Sequence, residues 1–280
     1  MRSAALFLLS SLIVRSQTFE VAAIKPSAPP IQFSGREGGP GSSDPGRVRW
    51  SNSTLKALLT FAYNMQSYQI EGPEWLNIDM FDVTATLPLG ATRDQMRVMV
   101  QNLLAERFGM RAHRDRKEMP SYVLTVSKGG PRMKLSGPEN QAAAEARRGP
   151  PPMGKDGFPE ISAFGKGVLI QFRRGAAKLT CNRCSIPVLT EQLAQQLDKP
   201  VTDSTGLTDT YDFTLVYEPE FRAGPGMVGP PPAPPGGADG EPASPLQAAI
   251  QAQLGLKLEA KKSSVDIVVI DSIEKMPTGN

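Results

Sequence analysis

Apolar residues recur at spacings of three and four in four segments of the chain, and each segment is predicted to be a helix. The second segment has the clearest ends, because Thr92 and Gln95 stand at capping-box spacing and Gly109 follows the last apolar position. In the fourth, Ser244 is predicted to cap the helix with Pro245 in its first turn. The predicted helices begin near Ser53 or Thr54, at Thr92, at Ser185 and at Ser244.

Between these helices, apolar and polar residues alternate in short runs that predict half-buried strands. Two runs after the second helix, Met110–Arg114 and Tyr122–Val126, are predicted to pair as a hairpin, and two further runs, Leu256–Glu259 and Asp266–Ile270, follow the fourth helix. The same element order occurs twice at nearly constant spacing. We therefore predict an α/β (α+β) fold made of two tandem β-α-β-α-β-β units with mixed or antiparallel sheets. Chance alternation of elements is the alternative.

Proline and glycine are unusually frequent, with 26 of each among 280 residues, so part of the chain is expected to be linker. Two low-complexity stretches fit this expectation: a linker at 136–160 and a Pro-rich insert at 219–245. Neither is expected to pack into a core. The predicted first repeat is therefore 17–135 and the second is 161–280.

The N-terminus has the features of an export signal. Arg2 precedes an apolar run from Ala4 to Val14, and Ser16 follows at a spacing suited to cleavage. A run of this length is too short for a hydrocarbon core, which needs about 20 residues. A buried N-terminal helix is the alternative. We expect residues 1–16 to be removed and the mature protein to be periplasmic or secreted, without a membrane span.

Six short motifs follow one another along the chain: Phe19–Pro26, Gly72–Leu76 with Phe81–Val83, Leu103–Gly109, Lys128–Pro131, Asp203–Thr208 with Tyr211–Phe213, and Gln253–Glu259. Together they resemble the soil-associated family of unknown function that is abundant in certain acidobacteria. The resemblance implies export and no established activity. Some relatives carry a similar domain behind a membrane metallopeptidase of the kind that senses β-lactams, which implies a sensing or interaction role. This chain contains no peptidase segment, so peptidase chemistry is not implied.

Few residues suit catalysis or metal binding. His113 is the single histidine and is predicted to be a surface strand residue. Cys181 and Cys184 have the C-x-x-C spacing but no second pair, which disfavours a four-ligand zinc site. In an oxidising compartment a local disulfide is expected, and a redox dithiol next to Ser185 at a helix start is the alternative. No catalytic residue, metal site or cofactor is predicted.

Acidic residues cluster in two loops, and a carboxylate pair there is the basis for a hydrolase hypothesis. Neither loop has the spacing of a calcium site. Asp82 and Asp212 occupy equivalent positions in the two repeats, which predicts a structural hydrogen bond at each. The clustered residues are Glu71, Glu74, Asp79 and Asp82, and Asp203, Asp209 and Asp212.

The net charge of +3 and an aromatic content of 6% give no basis for nucleic-acid binding. The leading hypothesis is an exported, non-catalytic binding, interaction or sensing module of the cell envelope. Its expected partner is an envelope protein, a glycan or a small molecule. The alternatives are a carboxylate-based hydrolase of envelope glycan and a passive scaffold. The candidate ligand-binding residues are Gly72, Pro73 and Trp75, with Thr205, Gly206 and Leu207 as their counterparts.

Overall fold

In a computed structural model, the described residues are 17–29, 34–137, 153–160, 166–173, 175–219 and 245–279. The predicted signal segment, Ser244 and most of the predicted linker and insert lie outside them. The strands are β1 Val21–Pro26, β2 Gly35–Gly38, β3 Arg47–Thr54, β4 Ile70–Glu71, β5 Met80–Thr86, β6 Arg111–Val126, β7 Lys134–Leu135, β8 Gly167–Arg173, β9 Ala176–Ser185, β10 Val201–Asp203, β11 Thr210–Tyr217 and β12 Leu256–Ser272. The helices are α1 Leu55–Tyr63, α2 Arg93–Phe108, α3 Ile186–Leu197 and α4 Leu246–Ala249.

The strands form three four-stranded sheets. The first has the order β1-β5-β3-β2 and the third has the order β7-β11-β9-β8, and the neighbouring strands in both are antiparallel. The second has the order β10-β6-β12-β4, with the short edge strands β10 and β4 parallel to their neighbours. The predicted α+β class with mixed and antiparallel sheets is therefore confirmed. No helix in the described ranges has the length and apolar character needed to cross a membrane.

Two compact units can be distinguished, and they interleave along the chain. The first comprises Met1–Met65, Asp79–Ala112 and Ile270–Asn280, and the second comprises Gln66–Ile78 and His113–Val269. The boundaries of the compact units therefore differ from those of the predicted repeats. Strands β6 and β12 each begin in one unit and end in the other.

In the first unit, α1 and α2 pack on one face of the first sheet. Trp50 of β3 makes an edge-to-face contact with Phe61 of α1, and Phe81 of β5 makes one with Phe108 of α2, at 5.7 and 5.3 Å between ring centroids. The helix ends are those predicted from the sequence. The Thr54 side chain caps α1, Thr92 and Gln95 form the capping box of α2, and Gly109 ends α2 in the left-handed conformation.

In the second unit, α3 and α4 cover one face of the third sheet. The third helix follows Ser185 as predicted. The fourth begins one residue later than predicted, so Pro245 is its N-cap rather than its first residue, and it continues as a π-helical turn, Ile250–Leu254. The buried core contains Leu124, Met133, Ala177, Leu179, Cys181, Cys184, Ile186, Leu189, Leu193, Tyr211, Leu215, Tyr217, Leu246, Ala249, Ile250, Leu254 and Leu256.

Two of the predicted strand boundaries are wrong. The predicted hairpin after α2 is the single strand β6, and the two runs after α4 are the single strand β12. Ser121 Oγ donates to the Lys261 carbonyl and Thr125 Oγ1 to the Lys257 carbonyl, so β6 and β12 run antiparallel. The central residues of both strands are mostly exposed, and their charged side chains interrupt the apolar alternation without interrupting backbone pairing.

The expectation that no part of 136–160 packs is also wrong. The described segment 153–160 forms a tight turn closed by a hydrogen bond from the Gly154 N–H to the Phe158 carbonyl. The Phe158 side chain is fully buried. Cationic groups of Arg173 and Lys178 lie 5.2 and 5.7 Å from its ring centroid, on the third sheet. One aromatic residue therefore anchors a short part of a Pro- and Gly-rich region.

The two halves of the chain share more than element order. Each has a left-handed non-glycine residue in the strand before its first helix, Asn52 and Arg183, and another at that helix's C-terminus, Asn64 and Asp198. The first and third sheets also have corresponding strand orders. These correspondences support our proposal of tandem repeats, but they place β7, which lies in the predicted first repeat 17–135, at the start of the second.

Candidate functional site

The two predicted ligand-binding loops lie in the second unit, but the structure does not bring them together. Gly72, Pro73 and Trp75 follow β4, whereas the Thr205 loop follows β10. These strands form opposite edges of the second sheet, with β6 and β12 between them. Three strand spacings correspond to about 14 Å. A single small ligand is therefore not expected to contact both loops.

The loop after β4 is a short 3₁₀ turn. Gly72 and Pro73 are exposed and Trp75 is half-buried. The Pro73 carbonyl accepts a hydrogen bond from the N–H of Leu76, which is buried. The turn therefore positions an apolar anchor.

The loop after β10 is held by its own side chains. Asp203 Oδ1 accepts hydrogen bonds from the N–H and the hydroxyl of Thr205, both at 2.8 Å. The Thr205 hydroxyl oxygen in turn accepts from the Leu207 N–H, and Gly206 adopts φ +70°. This is the geometry of a side-chain-stabilised turn, which accounts for the choice of Asp, Thr and Gly.

Several of the clustered carboxylates are engaged in structural contacts. Asp82 Oδ1 accepts from Ser27 Oγ and from the Asn52 N–H. Asp212 Oδ1 accepts from Ser136 Oγ and the Arg183 N–H, both at 2.7 Å. The structural hydrogen bond predicted at each position is thus confirmed. In the described ranges, no group of three or more His, Cys, Asp or Glu side chains is placed to hold a metal ion.

The hydrogen bonds to Asp212 have an electrostatic consequence. Partial burial by itself raises the pKa of Asp212, but donation from Ser136 and from the Arg183 backbone, with the nearby Lys134 charge, outweighs it and lowers the pKa below its usual value. The carboxylate is therefore ionised at neutral pH and is an acceptor, not a general acid. Glu71 has a different role, because its carboxylate forms a 2.7 Å ion pair with Lys117.

The two cysteines and the single histidine lie in different surroundings. Cys181 and Cys184 form a disulfide at the end of β9, and each side chain is 2% exposed. Thiol exchange requires access to a sulfur atom, so this burial argues against the dithiol alternative. His113 is on an exposed position of β6.

A groove in the first unit was missed in the sequence. It has a volume of about 420 Å³ and runs between the segment Thr18–Ala23 and α2. Met99 and Leu103 contribute apolar surface from α2, and Glu106 and Arg107 contribute charged groups. A second cavity of about 220 Å³ shares Thr18 and Met99 with it. The sequence feature that forms one wall of the groove is the Phe19–Pro26 motif. Its apolar run is too short for periodicity to distinguish a binding strand from a core strand.

The strand that borders this groove is an edge strand. Among the described strands, β1 pairs only with β5. The Ser27 N–H donates to the Met80 carbonyl across the ladder. Hydrogen-bonded and non-hydrogen-bonded positions alternate in antiparallel pairs, so the backbone N–H of Ala23 faces β5 and that of Ala22 faces outward. The groove therefore lies beside the outermost described strand of the first sheet.

A family model described as a protein of unknown function (DUF3738) matches residues 56–273. The chain belongs to this family. The match covers most of both compact units of the DUF3738 protein and agrees with the resemblance to a family of unknown function. No curated protein and no solved structure matches the chain.

Proposed function

We propose that this DUF3738 protein is an exported binding module of the cell envelope that takes an extended peptide segment of a partner protein into the groove between β1 and α2. The observation that carries the proposal is the groove of about 420 Å³ between α2 and the edge strand β1, where the Ala22 N–H faces away from β5. Strand addition at such an edge derives affinity from main-chain hydrogen bonds and specificity from neighbouring side-chain pockets.

The groove has the mixed chemistry that an extended peptide requires. Backbone groups of the Thr18–Ala23 segment supply donors and acceptors on one wall, and Met99 and Leu103 supply apolar contact on the other. Glu106 is exposed, and the half-buried Arg107 donates to the Gly279 carbonyl, so charges of both signs lie near the helix end. A strand edge beside a helix flank favours a peptide over a compact sugar, because alternate peptide groups match the 2-residue period of the edge.

The edge of β1 also tolerates the change that tests this proposal. Pro26 ends β1, and its backbone nitrogen faces away from β5, as that of Ala22 does. Proline is tolerated at such a position because its missing N–H would not donate to the neighbouring strand. Ala22→Pro removes one outward N–H and blocks strand addition without removing a donor to β5. The change is therefore expected to preserve the fold.

The test begins with selection of ligands for the purified full-length protein from a display library of random linear peptides, followed by fluorescence polarisation with an enriched peptide. Ala22→Pro should weaken binding about tenfold or more, corresponding to one or two lost main-chain interactions. Leu135→Ala is the matched control, because it removes an exposed apolar side chain from the edge strand β7. Failure to enrich any peptide, or equal affinity of Ala22→Pro and wild type, would contradict the proposal.

Export is part of this proposal and rests on the apolar segment before Ser16. Expression in a bacterial host followed by mass spectrometry of the periplasmic and secreted fractions should give a chain that begins near Gln17. Recovery of only the uncleaved chain from the cytosol would oppose it. The hydrolase alternative is less well supported, because Asp82, Asp212 and Glu71 each serve a structural contact.

A further inference from the structure

Two arginines of the first unit lie at one aromatic ring, and a third is near enough to act on one of them. Arg36 of β2 has its Cζ atom 4.9 Å from the Phe61 ring centroid, and Arg97 of α2 has its Cζ atom 6.0 Å from the same centroid. Arg93 is one helical turn before Arg97 and acts electrostatically on Arg36. The three guanidinium groups therefore belong to one surface patch, which we call the arginine cluster.

The carboxylates around the arginine cluster do not balance its charge. Arg97 Nη1 is paired with Asp94 at 2.5 Å and its Nη2 donates to Asn64 Oδ1 at 2.6 Å. The Asp94 side chain is 87% exposed, so solvent weakens its effect. Within the described part of the chain, Arg36 and Arg93 form no ion pair. Of the three cations, only Arg97 is therefore paired with a carboxylate among the described residues.

The cost of this arrangement is visible at Arg36. Partial burial lowers its pKa below the usual value, and repulsion from Arg93 and Arg97 lowers it further. The Phe61 ring offers cation–π attraction, but it accepts no N–H hydrogen bond in the plane of the guanidinium. A bound anion would relieve the repulsion and use those in-plane donors.

One guanidinium of the cluster is also fixed in place. Asp94 and Asn64 hold the Arg97 terminus, and its Nε is buried with no hydrogen-bond partner among the described residues. Arg93 is the first residue of α2, where the helix dipole adds positive potential. Preorganised planar guanidinium groups bind tetrahedral oxyanions through paired N–H donors.

We propose that the arginine cluster of Arg36, Arg93 and Arg97 is a binding site for a phosphate group. A dianionic phosphate presents enough acceptor oxygens for several guanidinium groups at once, whereas chloride does not. The ligand source is either free inorganic phosphate or a phosphomonoester carried by a larger molecule. This site is separate in its chemistry from the proposed peptide groove, and neither proposal depends on the other.

The test is isothermal titration calorimetry of the full-length protein with inorganic phosphate and with glycerol 3-phosphate, at constant ionic strength set with sodium chloride. Saturable binding at one site is expected for at least one of the two. Tighter binding of glycerol 3-phosphate identifies an ester as the ligand type, and tighter binding of inorganic phosphate identifies the free ion. Heats no larger than those of added chloride for both would overturn the proposal.

Two variants and one control assign the site. Arg36→Gln and Arg93→Gln should each weaken phosphate binding about tenfold, the effect of losing one charge-assisted contact. Arg49→Gln is the matched control, since Arg49 is an exposed arginine of the adjacent strand β3, on the opposite face from the buried Val48 and Trp50. Equal weakening in all three variants would show a general charge effect and refute a site at the cluster. Retained thermal stability of the variants excludes misfolding as the cause.

Discussion

Removal of the Asp212 carboxylate should destabilise the second unit by a predictable amount. Asp212 lies on β11 and joins two other segments, because it accepts hydrogen bonds from Ser136 after β7 and from the left-handed Arg183 in β9. Asp212→Ala leaves both donors without this acceptor. Asp212→Asn retains an oxygen acceptor but removes the charge, so the pair of variants separates hydrogen bonding from electrostatics.

The magnitude follows from the two contacts. A hydrogen bond to an ionised acceptor contributes about 1.5–3 kcal/mol when it is well shielded. Asp212 is half-buried, so water compensates part of the loss and the expected cost of Asp212→Ala is about 2–3 kcal/mol for both bonds together. Asp212→Asn should cost about 1 kcal/mol, because a neutral acceptor forms weaker bonds.

The pH dependence provides a second readout. Burial raises the pKa of Asp212, but the hydrogen bonds from Ser136 and Arg183 outweigh it, so the net pKa in the folded protein is lowered. A lowered pKa means that the carboxylate stabilises the fold above the ordinary Asp pKa of about 4 and that this contribution is lost as the pH falls through the folded-state value. The stability difference between wild type and Asp212→Asn should therefore be complete at pH 7 and shrink on acidification.

Urea unfolding followed by far-UV circular dichroism at pH 7 and at acidic pH measures both effects. Asp209→Ala is the control, because Asp209 is an exposed carboxylate in the preceding loop, and it should change the free energy of unfolding by less than about 0.5 kcal/mol. A change of that size for Asp212→Ala, or a deficit in Asp212→Asn that does not diminish with acidification, would refute the reasoning.

Three further changes test individual contacts. Phe158→Ala should release its turn from the third sheet, so hydrogen–deuterium exchange of the Gly- and Pro-rich segment should rise about tenfold while the core is unchanged. The double variant Cys181→Ala/Cys184→Ala should lower the free energy of urea unfolding by about 2 kcal/mol, the chain-entropy value for so short a loop, and a reducing agent should destabilise wild type but not the variant. Gly255→Ala should lower the melting temperature more than Gly109→Ala. Both glycines have positive φ, but only at Gly255 would an added Cβ clash with a backbone carbonyl. Equal losses in melting temperature would contradict this prediction.

Helix ends were predictable because their signals are local. The capping box of Thr92 and Gln95 and the left-handed Gly109 need only the residues of their own turns. The fourth helix was placed one residue too early, since Pro245 can serve either as a cap or as a first helical residue and sequence alone does not separate the two. Local chemistry therefore located the helices to within a residue.

Strand continuity and the groove were not predictable in the same way. The charged residues in the middle of β6 and β12 look like a turn, but in the structure each strand satisfies its backbone by pairing with the other. Phe158 likewise becomes an anchor only because Arg173 and Lys178 are brought beside it by the third sheet. The groove depends on the approach of α2 to an edge strand. Each of these features arises from long-range pairing, which periodicity does not report.

The comparison of the two halves shows where binding is expected to have specialised. Each half has an aspartate that accepts hydrogen bonds from the backbone N–H of a left-handed residue and from a serine hydroxyl. This aspartate is Asp82 on β5 in the first half and Asp212 on β11 in the second. The edge strands differ: β1 has six residues and borders the groove, whereas its counterpart β7 has two. A two-residue edge offers too few backbone groups for a stable additional strand. If tandem repeats share a scaffold but only the first has a six-residue outer strand, peptide binding should depend on β1 and be indifferent to substitutions in β7.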